Sequence, residues 1–204
     1  MDVWLIPLEC QGPVTLSPDE ETRAARFRFE RDRTFWVRAR SALRAILADY
    51  TDIPAAELRF VLGPHGKPGL ASGNDIEFNL SHAGSWAMVA VTRCVPVGID
   101  IERIRDNVDI AALLRRLGVS DLPDNRGELF HLWNRREAMT KAVGGALLDQ
   151  PKGDFGVCDL EAPKGYSAAL ALRGHTPRVR RRSTPVLPGS TAKNALPEPA
   201  PTFL

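Results

Sequence analysis

Cysteine is scarce in this chain: three among 204 residues, Cys10, Cys94 and Cys158, with no C-x-x-C pair. An odd number so widely spaced excludes a disulfide framework and a cysteine-based zinc site, and it suits a reducing compartment. No apolar run approaches the roughly 20 residues that a membrane-spanning helix needs. The start, Met1-Asp2-Val3-Trp4, lacks the basic stretch of a secretory signal, so a cytoplasmic protein is expected. Charge of one sign is missing too. The 27 Lys and Arg against 25 Asp and Glu leave a net +2, too little to argue for a nucleic-acid partner. There is no Gly-x-Ser-x-Gly elbow to mark a hydrolase serine, and no segment repeats by identity. What is present is an ordinary globular composition, 44% hydrophobic and 25% charged, long enough for one large domain or two small halves.

Residues 3–6 read as a first strand. Ser17-Pro18-Asp19-Glu20 is a helix start: Ser17 caps, Pro18 takes the first helical position and Glu20 completes a capping box. A long helix is expected over 31–50, because Phe35, Ala39, Ala42, Leu43, Ile46 and Tyr50 recur at helical spacing. Strands are expected over 58–62, 76–80, 86–92 and 95–101, with a turn at Gly63 to Pro68. Helices are expected over 109–117 and 127–143, the second with Leu132, Met139 and Val143 as its buried stripe and Glu137 and Lys141 roughly opposite. Phe130 and Trp133 of that helix read as core. A last strand covers 166–172. The stretch from 155 to 166 is short, which predicts a trimmed second half. Beyond Arg173, an arginine run at 178–182 leads into a segment rich in Pro, Ser and Thr with little to bury, so residues 173–204 are expected to be a disordered tail. The order strand, helix, strands recurs once in each half. That suggests an α+β chain of two related subdomains, 1–95 and 96–172, meeting at a cleft.

Chemistry concentrates in three short stretches. Asp100 and Glu102 are two apart in an apolar strand, so they share a face. Two like charges on a half-buried strand repel, and burial raises the cost of both. A divalent cation is the simplest remedy, and carboxylate oxygens suit Mg²⁺, which completes its shell with water and substrate phosphates. Glu137 and Lys141 lie four apart on a helix, so they also share a face. As a bare ion pair they would add only about 0.2–0.5 kcal/mol; set beside Asp100 and Glu102, they shape a site for phosphoryl chemistry.

Four motifs in order carry a resemblance: Gly66-Lys67-Pro68, Phe78-Asn79-Leu80-Ser81-His82, Gly98-Ile99-Asp100-Ile101-Glu102, and Trp133-x-x-x-Glu137-Ala138-x-x-Lys141. Over residues 1–172 the chain resembles the 4′-phosphopantetheinyl transferase superfamily, in its larger, surfactin-synthetase-activating type. The resemblance implies a monomeric pseudodimer of two similar α/β subdomains, each a small, mostly antiparallel sheet packed on a long helix, with coenzyme A bound in the cleft. It implies transfer of the phosphopantetheine arm to a serine of a carrier protein, with adenosine 3′,5′-bisphosphate released and no membrane or nucleic acid involved. Asp100 and Glu102 match the family's Mg²⁺ ligands. Glu137 matches a third acid, able to ligate the metal or take the serine proton. Lys141 matches a lysine that steadies the leaving phosphate. Lys67, Ser81 and His82 match coenzyme A contacts. Arg31 matches an arginine at the nucleotide end, with Arg33, Arg38 or Arg40 as alternatives. Two rivals share these residues: a Mg²⁺-dependent hydrolase of nucleotides or pyrophosphate, and a non-catalytic module that binds coenzyme A or the carrier.

Overall fold

The structure is a computed structural model that describes residues 1–10, 12–73, 75–146 and 151–182. The first strand, β1 (Asp2–Pro7), leads to the short helix α1 (Pro18–Ala24) and the long helix α2 (Glu30–Thr51). The α1 capping box forms as expected: Glu20 N–H donates to Ser17 Oγ, and Ser17 N–H donates to Glu20 Oε2. Strands β2 (Phe60–Leu62) and β3 (Pro68–Leu70) make a small hairpin around the Gly66-Lys67 turn, where Gly66 takes a positive φ of 81°. Then come β4 (Ile76–Ala83), β5 (Trp86–Arg93), β6 (Val97–Arg103), α3 (Ile110–Arg116) and α4 (Arg126–Ala142), followed by β7 (Phe155–Leu160), β8 (Tyr166–Arg173) and β9 (Arg180–Arg182).

The result is a mixed α+β fold with small, mostly antiparallel sheets. Among the described residues one sheet has the order β4-β5-β1-β9, one is β6-β8-β7, and the hairpin is the third, with β1 and β9 the only parallel pair. Strand alternation sorts the first sheet into two buried faces. Trp4, Ile6, Phe78, Val89 and Val91 pack with Leu43, Ile46 and Leu47 of α2. Val3, Met88 and Ala90, on the other face, pack with Val97, Ile99, Ile101, Leu170 and Leu172 of β6 and β8. Burying each such aliphatic side chain contributes about 1.5–3 kcal/mol, which makes this sheet-to-sheet contact a principal bond between the first half of the chain and the second. Helix α4 covers the far face of β6 and β8, and Phe130 and Trp133 join Ile110, Leu114 and Leu117 in a third cluster.

A buried ion pair fixes α1 to α2. Arg44, 1% exposed, donates to Glu20 Oε2 at 2.7 Å and to the carbonyls of Ala55 and Leu58, while Arg40 also pairs with Glu20 and lies 3.9 Å over the Phe60 ring.

Three expectations need correction. Residues 155–160 are a strand, β7, paired antiparallel to β8. Its residues are mostly half-buried, so no clean alternation marks it in the sequence. The segment after Arg173 is not wholly tail: Arg180–Arg182 pair with Asp2–Trp4, held by Arg180 and Arg182 on the buried Asp2 carboxylate and by Arg181 on Glu161. The rest of that expected tail, 183–204, lies outside the described residues. Finally, the buried side of α4 is not the Leu132, Met139, Val143 stripe. Leu132 and Met139 are half-buried and Val143 is 36% exposed, while Phe130, Asn134, Glu137 and Ala138 are buried. The polar residues on the inward face hide its period.

Candidate active site

Strand β6 sends Val97, Ile99 and Ile101 into the core, so Gly98, Asp100 and Glu102 face α4. Gly98 makes the approach of the helix possible. A Cβ at this position would lie 1.9 Å from the Ala138 carbonyl oxygen and 2.5 Å from the Ala142 nitrogen. With that strand-to-helix gap closed, Asp100 meets Asn134 and Lys141, two turns apart on α4.

Asp100 is 2% exposed and is gripped from two elements. Ser81 of β4 donates to its Oδ1 at 2.9 Å, Lys141 Nζ reaches the same oxygen at 2.5 Å, and Asn134 Nδ2 donates to Oδ2 at 2.7 Å. Lys141 Nζ also lies 3.0 Å from Ser81 Oγ. Strand β4 is pinned alongside by its side chains: Ile99 N–H donates to Asn79 Oδ1 and Ile101 N–H to Ser81 Oγ. These two N–H groups point away from β8, and β4 thereby covers an edge of the second sheet.

Glu137 is 6% exposed, and its Oε1 is buried with no hydrogen-bond partner. Burial, reinforced by the Asp100 charge, raises its carboxyl to about 7 against the opposing pull of Lys141. Glu102 is half-buried, is raised by the same two causes, and is 3.3 Å from Arg105. The three acids therefore act on one another, with Lys141 among them as the cation on Asp100. Among the described residues no three His, Cys, Asp or Glu side chains close into a metal cage.

His82 follows Ser81 on β4, within the electrostatic influence of Lys141. It is open to water yet surrounded by protein; burial and then Lys141 lower its pKa. It lines a cavity of about 1000 Å³ together with Gly66, Arg23, Arg40, Trp36 and Phe60. Arg31 is not among the lining residues; it is exposed, with its guanidinium 5.2 Å from the Phe35 ring. Of its alternatives, Arg33 pairs with Glu30, Arg38 donates to the Leu8 carbonyl, and only Arg40 reaches the cavity. Lys67 donates to the carbonyls of Val97 and Ala142, both at 3.0 Å, and burial lowers its pKa. Its ammonium ties the β2–β3 turn to the start of β6 and the C-terminal end of α4, where a cation also meets the negative end of the helix dipole. The structure thus brings Ser81, Asp100, Glu137 and Lys141 together, sets His82 and Lys67 beside them, and leaves Arg31 apart.

Two residues given no role from the sequence stand out. Asn134 is fully buried between Asp100 and Ser167, and Ser167 Oγ donates to its Oδ1. Asn134 lies three residues before Glu137, so helical spacing puts it on the same face; this was the signal available.

A model of the N-terminal part of 4′-phosphopantetheinyl transferases matches residues 10–94. The chain is 32% identical over 184 residues to the 4′-phosphopantetheinyl transferase HetI of Nostoc sp., spanning 81% of this chain and 78% of that one. It is 28% identical over 139 residues to the 4′-phosphopantetheinyl transferase Sfp of Bacillus subtilis, spanning 65% of this chain and 62% of that one. Against the L-aminoadipate-semialdehyde dehydrogenase-phosphopantetheinyl transferase of Mus musculus it is 32% identical over 103 residues, 48% of this chain and 32% of that one. With such identity across most of the length of the Nostoc enzyme, and the four motifs in the expected order, the chain belongs to the 4′-phosphopantetheinyl transferase family of enzymes.

Proposed function

We propose that this enzyme moves the 4′-phosphopantetheine arm of coenzyme A onto a serine of an acyl or peptidyl carrier protein, in a Mg²⁺-dependent reaction that releases adenosine 3′,5′-bisphosphate. The observation that carries this is the grouping of Ser81, Asp100 and Lys141 within hydrogen-bond reach, beside a buried Glu137 oxygen that has no partner. The serine oxygen bonds to the β-phosphorus of coenzyme A, and the bond from that phosphorus to the bridging oxygen breaks. The serine proton passes to Glu137, whose buried Oε1 has no hydrogen-bond partner and can accept it. The bridging oxygen leaves on the bisphosphate, where Lys141 offsets its charge.

The donor set fits Mg²⁺. It is all carboxylate oxygen, Glu137 Oε1 is unsatisfied, and Asp100 Oδ2 accepts one hydrogen bond where a carboxylate oxygen has room for about two. Asp100, Glu102 and Glu137 would hold the ion, which supplies charge neutralisation on the pyrophosphate. His82 and Arg40 line the cavity that would take the nucleotide end, and Lys67 and Ser81 would contact the phosphates. Arg31, near the start of α2, does not line that cavity, and Arg40 of the same helix takes the place expected of it. Residues 1–95 and 96–172 act as the two halves of a monomeric, cytoplasmic enzyme; the first half lines the cavity for the nucleotide end, and the second supplies Asp100, Glu102, Glu137 and Lys141. Catalysis by positioning and charge is what phosphoryl transfer asks of a protein.

The test is the intact mass of a recombinant apo carrier protein after incubation with this enzyme, coenzyme A and Mg²⁺, with EDTA as control. A gain of one phosphopantetheine that EDTA abolishes is the expected result. Bisphosphate released without any carrier would replace this reading with a hydrolase. Coenzyme A bound with no turnover across several carriers would replace it with a binding module.

A further inference from the structure

We infer that Asn134, held by Ser167, is a positioning residue that sets the orientation of the Asp100 carboxylate for the transfer reaction. This rests on the reading above and adds to it a residue pair outside the acids and the lysine. The argument is one of hydrogen-bond capacity. An ionised carboxylate only accepts, and it offers about four lone-pair directions. Ser81 and Lys141 occupy Oδ1, and Asn134 Nδ2 occupies one direction of Oδ2 at 2.7 Å. A single direction on Oδ2 stays open, and Asn134 decides which one.

The amide itself has no freedom. Only its NH₂ can face a carboxylate, so its oxygen must turn the other way, and there the Ser167 hydroxyl donates to it. Asn134 and Ser167 are both fully buried, so no water competes for these bonds. Ser167 lies on β8 directly across from Glu102 in the strand register, so the same strand pair that carries Glu102 anchors the far end of the relay. Ser167 donates to Asn134 and Asn134 to Asp100, a line of hydrogen bonds from β8 through α4 to β6. Asn134 is fully buried and its amide is bonded to Asp100 and Ser167, so it acts through Asp100.

The test compares Asn134→Ala, Asn134→Asp and Ser167→Ala with the wild-type protein, in the carrier-modification assay and in direct Mn²⁺ binding followed by electron paramagnetic resonance. Loss of an outer partner of a ligating group typically costs about 10–100-fold in metal affinity or activity. Asn134→Ala is expected to lower kcat by about that factor, with KM for coenzyme A changed little, and to weaken Mn²⁺ binding. Asn134→Asp keeps the side chain's size but turns an acceptor toward Asp100, so it is expected to lose more. Ser167→Ala removes one hydroxyl and is expected to lose less. The double variant Ser167→Ala, Asn134→Ala is expected to be no worse than Asn134→Ala alone, because Ser167 acts through Asn134.

Wild-type kcat and Mn²⁺ affinity in a folded Asn134→Ala protein would overturn the proposal, as would a loss confined to KM or full additivity in the double variant. If Asn134→Ala does not fold, Ser167→Ala decides: unchanged kcat and Mn²⁺ affinity there overturn the relay. If the wild-type protein transfers nothing to any carrier, the proposed function is what has failed, and the Mn²⁺ measurement still judges whether Asn134 governs Asp100.

Discussion

Glu137 holds a buried carboxyl oxygen without a hydrogen-bond partner. Its carboxyl ordinarily loses its proton near 4.5, but burial and Asp100 hold it until about 7. The folded chain therefore binds more protons than the unfolded chain between those values, so stability falls as pH rises from 4.5 to 7 and then levels off. Glu137→Gln removes that slope. The variant is expected to melt with the wild type near pH 4.5 and above it at pH 7.5 in EDTA, while transfer activity falls by about 10²–10⁴-fold if Glu137 is the base. Thermal melts at the two pH values, with the mass assay alongside, check both halves; an unchanged pH slope would show that Glu137 is already relieved by a partner. Asp100, Glu137 and Lys141 were legible as a set because their residue types and spacings suit phosphoryl chemistry. Asn134 was not, since an amide before a run of charged residues looks like a solvated helix face until Ser167 and Asp100 are placed around it.

At the scale of elements, the site depends on how closely α4 lies on β6. Gly98 has no side chain, and the atoms a Cβ would strike belong to the helix backbone, so no rotamer change can clear them. Gly98→Ala must push the helix outward and carry Glu137 and Lys141 away from Asp100. Overpacking of this kind costs about 1–3 kcal/mol or more. The expected outcome is a lower urea midpoint and a fall in kcat larger than any change in KM, read at a temperature where the variant stays folded; wild-type kcat would mean the helix relaxes without moving the site. Lys67 supports the same contact from the other side through the Val97 and Ala142 carbonyls. Periodicity found α4 but chose the wrong face. Asn134 and Glu137 point inward, against what hydrophobicity alone predicts, and such local departures gather at candidate functional sites.

Across the whole molecule, the chain closes on itself. Strand β9 lies parallel to β1 and brings Arg180 onto the Asp2 carboxylate, which also accepts from the Tyr50 hydroxyl. The Arg180 contact lowers the Asp2 pKa below its ordinary 3.8 in spite of burial. A lowered acid stabilises the fold above its unfolded value and loses that contribution as pH falls through the folded one. Arg180→Ala is therefore expected to melt lower than the wild type at pH 7, with the gap closing as pH drops below 3.8. Equal melting temperatures at pH 7 would show that β9 adds nothing to the first sheet. Composition pointed to a tail here, because three arginines in a row have nothing to bury; their partners, Asp2 and Glu161, are distant in the sequence.

By itself the sequence determined the elements whose signals are local: the capped start of α1, the periodic α2, the apolar β6 and the acids that share its face, and the four motifs that mark the family. Tertiary structure decided what depends on partners far along the chain. It turned the polar side of α4 inward, because Gly98 lets the helix sit directly on β6. It gave Asp100 its hydrogen bonds from Ser81 and Asn134, paired β7 with β8, and seated β9 on Asp2. Hydrophobic period and turn chemistry act over a few residues. The desolvation of a carboxylate and the satisfaction of its lone pairs are settled only when separate segments meet.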